Sequence, residues 1–137
     1  MKKNLHVLAL LILIVPVSYV AYWIQAYQEL SIEKDSLTIE GFIGETVSFS
    51  DIDTILSLTT LPRISESAGL TWEKNQKGYF TRFSDSKRVK LFAHHTDLYI
   101  KIVKHNGEII YYNSDKFYKT EALIIKLQHA LNQYKNA

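Results

Sequence analysis

The chain has 137 residues, of which 47% are hydrophobic and 12% aromatic, and it contains no cysteine. Of its 16 Lys and Arg residues, Lys2 and Lys3 precede an apolar segment, which leaves 14 to balance the 14 Asp and Glu residues that follow it. This composition excludes wholesale disorder, disulfides and cysteine-based sites. It also argues against non-specific nucleic-acid binding, which needs a basic domain.

Residues 5–24 (LHVLALLILIVPVSYVAYWI) carry no formal charge and predict one transmembrane helix. About 20 residues at 1.5 Å rise each span a bilayer core of about 30 Å. Tyr19, Tyr22 and Trp23 cluster at the end of the run, as in an interfacial aromatic belt. The alternative is a cleaved signal peptide, but no small-x-small cleavage site follows the run, which favours an uncleaved anchor.

The charges that flank this helix predict its orientation. Lys2 and Lys3 precede the helix, whereas residues 25–35 contain three acidic residues and only Lys34 as a base. The positive-inside rule then places residues 1–4 in the cytoplasm and the C-terminal domain outside, at the plasma membrane. Residues 25–35 are helix-compatible and predict a stalk, and residues 36–137 form the domain.

Short apolar runs between turn signals predict a mainly β domain from Ser36 onward. Gly41 and Gly44 predict a tight hairpin, and Asn106-Gly107 predicts another. We expect residues 64–68 to form a loop, residues 74–78 to join a hairpin, and residues 94–97 to connect two paired strands. The predicted strands are residues 37–39, 46–49, 54–59, 70–73, 79–83, 89–93, 98–103 and 108–113.

The spacing of apolar residues changes in the last segment of the chain. Apolar residues recur at three- and four-residue spacing from Leu123 to Tyr134, which predicts an amphipathic helix. The expected fold is therefore α+β and mainly β: a bent antiparallel sheet or partly open barrel of about seven strands, capped by one C-terminal helix and preceded by the membrane helix.

The order of these parts resembles the bacterial pleckstrin-homology-like domains that follow membrane anchors. The matching stretches lie within residues 37–134: IEGFIG (39–44), FSDIDTILSL (49–58), LPR (61–63), GYFTRF (78–83), the strands 89–92 and 98–102, and 109–113. The resemblance implies a binding or assembly module without catalysis. The turn 41–45 (GFIGE) has no Lys or Arg to pair with phosphates, so we predict no phosphoinositide pocket there.

Basic residues are dense on two predicted hairpins. They would contact an anionic lipid surface, or else serve as solvated charges that guard sheet edges. The residues concerned are Lys74, Lys77, Arg82, Lys87, Arg88 and Lys90.

His94-His95 suggests a metal site, which Asp97 and His105 could join if the two histidines lie in a turn. The competing interpretation is a polar turn, because adjacent strand residues point to opposite faces. Asp51 and Asp53 would need a cleft and shifted pKa values to act as an acid–base pair, and a turn explains them equally well.

The sequence thus predicts a membrane-tethered interaction module with a protein or peptide partner. It predicts no enzymatic activity, no cofactor, and no catalytic or metal-binding residue. The alternatives are an extracytoplasmic metal-binding protein or enzyme using His94-His95, or a cleaved and exported soluble domain.

Overall fold

The computed structural model describes residues 2–25, 27–41, 43–72 and 74–137. Met1, Ala26, Phe42 and Glu73 lie outside the described residues. These four residues belong, in that order, to the predicted N-terminal tail, the stalk, the first hairpin turn and the 70–73 strand.

The N-terminal helix α1 covers Lys2–Gln25 and includes Pro16. Residues Lys2–Tyr22 are long and apolar enough to cross a membrane, and none of this stretch is buried against the rest of the chain. An unburied apolar helix needs another apolar surface around it, and lipid supplies one. The predicted membrane helix is therefore compatible with the structure.

Nine strands and a second helix follow α1 within the described residues. Their bounds are β1 Leu30–Ile32, β2 Ser36–Ile39, β3 Glu45–Ser48, β4 Ile52–Leu58, β5 Ile64–Trp72, β6 Asn75–Arg82, β7 Arg88–Ala93, β8 Tyr99–Lys104, β9 Ile109–Tyr112 and α2 Phe117–Lys135. A short 3₁₀ helix, Phe49–Asp51, links β3 to β4. The chain is therefore mixed α+β and mainly sheet, as predicted.

The strands form two sheets instead of one. One sheet has the order β1-β2-β3, and the other has the order β4-β8-β9-β7-β6-β5. All neighbouring pairs are antiparallel except β7 and β9, which are parallel. The prediction of a single sheet was wrong, because β1–β3 form a sheet of their own. The prediction of all-antiparallel pairing was wrong because β9 inserts between β7 and β8 instead of adding to an edge.

The three-stranded sheet and α2 cover one face of the six-stranded sheet. Their apolar residues alternate along the strands, so one side chain in two faces the shared core. That core joins Leu37 and Val47 of the small sheet, Ile100 and Ile102 of the large one, and Leu127 of α2. A second cluster, formed by Phe80, Val89, Leu91, Ile109 and Tyr111, lies on the opposite face of the large sheet.

The segment predicted as a helix-like stalk joins the sheet. Leu30, Ser31 and Ile32 pair with Ile39, Thr38 and Leu37 of β2. The side chain of Gln28 is buried as well. The burial of Leu30 in the core outweighs the helix propensity of these residues. As a result, only a few residues separate the end of α1 from the folded domain.

Two further connections differ from the prediction. Residues 64–68, predicted as a loop, are the first half of β5, and residues 75–78, predicted as a connection, begin β6. Strand β5 contains a register shift between Glu66 and Ala68, which breaks the period-2 pattern that identifies strands. The antiparallel β2–β3 and β8–β9 hairpins and the C-terminal helix are confirmed.

Candidate functional site

The basic residues predicted to contact lipid do not form one exposed surface. Lys77 and Lys90 are buried, and burial lowers the pKa of Lys77 to about 8. Lys74 precedes β6, whereas Lys87 follows it at the other end of a strand about 23 Å long.

The remaining two cations of that set have partners within the protein. Arg82 forms an ion pair with Asp85, and this hydrogen-bonded pair lowers the pKa of the Asp85 carboxyl to about 2. The guanidinium of Arg88 lies 4.2 Å from the centroid of the Tyr79 ring. These two arginines are therefore part of the sheet's own packing.

Buried Lys90 helps to join the two sheets. Its Nζ lies 3.7 Å from Glu45 Oε2 on β3, and Lys104 Nζ lies 3.8 Å from the same oxygen. Glu108 provides a second carboxylate for Lys104 at 2.9 Å. A carboxylate between two cations compensates part of their desolvation, so this cluster has a structural explanation.

His94 is held as a neutral imidazole. The backbone N–H of Gln28 donates to its Nε2 at 3.3 Å, so in the neutral ring the hydrogen is on Nδ1, which lies 3.3 Å from Asn75 Oδ1. Burial, together with nearby Lys77, lowers the pKa of His94 to about 4.

His95 is held in the same way. The Asp97 N–H donates to its Nδ1 at 3.1 Å, which leaves Nε2–H to donate to Thr120 Oγ1 at 3.2 Å. Burial lowers the pKa of His95 as well. Every ring nitrogen of His94 and His95 thus has a hydrogen-bond partner inside the protein, so a metal ion would have to displace one.

Asn113, which sequence reasoning missed, organises the connection that carries both histidines. Its Oδ1 accepts the backbone N–H groups of His94 and His95, and its Nδ2 donates to the carbonyls of His95 and Leu98. The connection must pass over the end of β9, because β9 lies between β7 and β8. The fully buried Asn113 supplies the hydrogen bonds that such a wide turn cannot make to itself.

The other predicted sites are also accounted for locally. Asp51 and Asp53 are exposed at the start of β4, and no group of three or more His, Cys, Asp or Glu side chains suited to a metal ion occurs among the residues described. His105 Nδ1 lies 3.7 Å from Asp53 Oδ1 on the surface, away from His94. The predicted His94–His95–Asp97–His105 group therefore does not come together.

The edges of the six-stranded sheet differ in how they are covered. At the β4 edge, Gln128 Nε2 of α2 donates to the Ile55 carbonyl at 3.3 Å, and Lys135 Nζ donates to the Asp53 carbonyl at 2.8 Å. At the opposite edge, β5 is nine residues long and pairs only with β6 as far as the described residues extend. Alternate N–H and C=O groups of an edge strand point outward.

Apart from the register shift between Glu66 and Ala68, the β5 edge has little of the usual protection against pairing. Its sequence ISESAGLTW contains one charged residue and no proline. Ser65, Ser67, Ala68, Leu70 and Thr71 are exposed. Sequence analysis missed this edge because residues 64–68 were predicted as a loop; the signal available was a nine-residue stretch with a single charge.

Comparisons of the chain with protein-family models, with curated proteins and with solved structures found no match. The open edge of β5 is therefore the candidate binding site on the basis of its geometry alone.

Proposed function

We propose that this protein is a membrane-tethered interaction module that binds an extended polypeptide segment of a partner protein along the open edge of β5. The partner strand would extend the six-stranded sheet, with main-chain hydrogen bonds supplying affinity and alternate side chains supplying specificity. The module binds and does not catalyse.

The contrast between the two sheet edges carries this proposal. A long and nearly uncharged edge is an aggregation hazard unless it is covered or used. Side chains of α2 cover the β4 edge, whereas β5 presents exposed serines, threonine and Leu70. A binding function accounts for an edge that is left open.

The tether is the second part of the proposal. Helix α1 stays uncleaved in the plasma membrane, with Lys2 and Lys3 in the cytoplasm and the β domain outside. Support comes from the unburied apolar length of α1 and from the excess of acidic residues just after it. A protease added to intact cells would then digest the domain and spare α1.

We also propose a pleckstrin-homology-like fold for the β domain. The packing of α2 across the sheet supports it, because Ile124, Leu127 and Leu131 enter the main core. The parallel β7–β9 pair departs from the antiparallel order that the resemblance implies.

Site-specific photo-crosslinking in native membranes tests the binding edge. A photoreactive amino acid is placed at Ser67 on β5 or, as the matched control, at Ser57 on β4; both serines are exposed. We expect a discrete adduct from position 67 and none from position 57. Leu70→Lys should abolish the adduct, because a lysine on the edge opposes strand addition.

Three outcomes would contradict the proposal. They are adducts of equal yield from both positions, no adduct from position 67, or an adduct that persists with Leu70→Lys. An adduct of twice the chain's own mass would instead assign the edge to self-association.

A further inference from the structure

We infer that the start of α2, together with Tyr27, rests in the headgroup layer of the same bilayer that holds α1. We call Tyr27, Phe117, Tyr118 and Lys119 the juxtamembrane face. The inference rests on the proposed tether and goes beyond it, because it fixes which surface of the domain meets the lipid.

Chain length places this face at the membrane. Tyr27 is two residues past the end of α1 at Gln25, so it lies within about 7 Å of that end. Its ring centroid is 5.5 Å from that of His94, and Lys119 Nζ is 5.6 Å from it. The first turn of α2 therefore lies close to where α1 leaves the membrane.

The chemistry of the face suits the interface. Phe117 and Tyr118 are adjacent, and 47% and 62% of their surfaces are exposed. Aromatic side chains at this depth prefer the boundary between headgroups and acyl chains.

A groove beside these rings fits a phospholipid headgroup. It measures about 310 Å³ and lies between α2 and residues 27–30, with Tyr27, Tyr118, Lys119 and Lys126 among its lining residues. Glu29 also lines it, and Asp115 pairs with Lys119 at 3.2 Å. Because these carboxylates offset the two lysines, contact with the phosphates should not require anionic lipid.

The absence of cysteine makes a direct test possible. Tyr118→Cys and Phe83→Cys each introduce a single site for a nitroxide spin label, and both positions are 62% exposed. Phe83 follows Arg82 at the far end of β6, about 20 Å or more along the sheet from the end near Tyr27. The full chain is reconstituted in vesicles of phosphatidylcholine, with or without phosphatidylglycerol.

Collision rates with lipid-soluble oxygen and with a water-soluble nickel chelate then report the depth of each label. We expect the label at position 118 to be several-fold less accessible to the nickel chelate than the label at position 83, in both vesicle types. Phe117→Cys serves as a second reporter if Tyr118→Cys does not fold.

Equal nickel accessibility at the two positions would overturn the inference. So would protection at position 118 that appears only with phosphatidylglycerol, since that would indicate a charge-driven contact. Flotation of the vesicles tests the tether separately. If the chain floats with the vesicles while the label at position 118 is as accessible to the nickel chelate as the label at position 83, the inference is refuted and the tether is not. A chain that does not float refutes the tether as well.

Discussion

At the scale of single residues, the interior of the domain contains a connected group of polar side chains. His94, His95, Asn113, Ser114 and Thr120 are all buried. They are linked by hydrogen bonds that join the 94–98 connection, the end of β9 and the first turn of α2. Such a network is stabilising only when each member is satisfied.

The neutral state of His94 makes stability depend on pH. Its pKa is about 4 in the folded protein, compared with 6.5 for the free side chain, so the unfolded chain binds more protons below pH 6.5. Stability is therefore full above pH 6.5 and falls as the pH approaches 4. The loss from this group is up to about 3 kcal/mol, with His95 adding in the same direction and Asp115 opposing it.

Urea unfolding of the full chain in detergent micelles tests this prediction. We expect His94→Gln to be less stable than wild type at pH 7, with the difference shrinking by up to about 3 kcal/mol as the pH falls to 4. A constant difference for His94→Gln would refute the assignment of a neutral buried imidazole.

At the scale of secondary-structure elements, the β5–β6 hairpin depends on two facing glycines. Gly69 pairs with Gly78, and the ring of Phe80 lies where a side chain on Gly69 would sit, 2.6 Å from the position of a Cβ. Gly78 has a φ of +105°, and its Cβ would lie 2.8 Å from the Ala68 carbonyl oxygen. This close approach allows Phe80 to enter the second apolar cluster.

Gly78→Ala should therefore destabilise the protein more than a comparable change in an open turn. Gly107 is the matched control, because its φ is +90° and no atom lies within 4 Å of its Cβ position. We expect Gly107→Ala to cost about 1 kcal/mol from backbone strain alone. Gly78→Ala should cost about 2–4 kcal/mol, since steric overlap adds to strain. Denaturant midpoints measure both, and equal costs would contradict this account.

Elements with local sequence signals could be predicted, whereas elements that depend on long-range pairing could not. The Asn106-Gly107 hairpin and the α2 helix follow from short-range turn chemistry and periodicity, and both are present. Strand β1 was missed because its three residues gain their stability from β2 and the core. The insertion of β9 between β7 and β8 depends on long-range pairing, and the hydrogen bonds of Asn113 mark it in the structure.

The candidate site was harder to predict than the fold. Lys77 and Lys90 looked like surface charges in the sequence, because a charged residue on a strand is usually solvated. The burial of Lys90 depends on packing between the two sheets, where its Nζ approaches Glu45 of β3, and no local pattern encodes this packing. The β5 edge could be recognised only once its neighbours were known.

At the scale of the whole molecule, the absence of a free stalk is the main consequence of the structure. Residues 27–39 belong to the domain, so the domain cannot move far from the end of α1. Under the proposed tether, a module held this close to the bilayer would meet partners that are themselves at the membrane. The open β5 edge would then serve in binding, and the juxtamembrane face in orientation.

The whole account depends on α1 remaining in the chain and in the lipid. The most direct measurement is the intact mass of the protein recovered from carbonate-washed membranes of cells that express it. We predict a membrane-bound species that retains residues 5–24. A shorter species that lacks this segment and is found in the aqueous fraction would contradict the tether, and with it the proposed function.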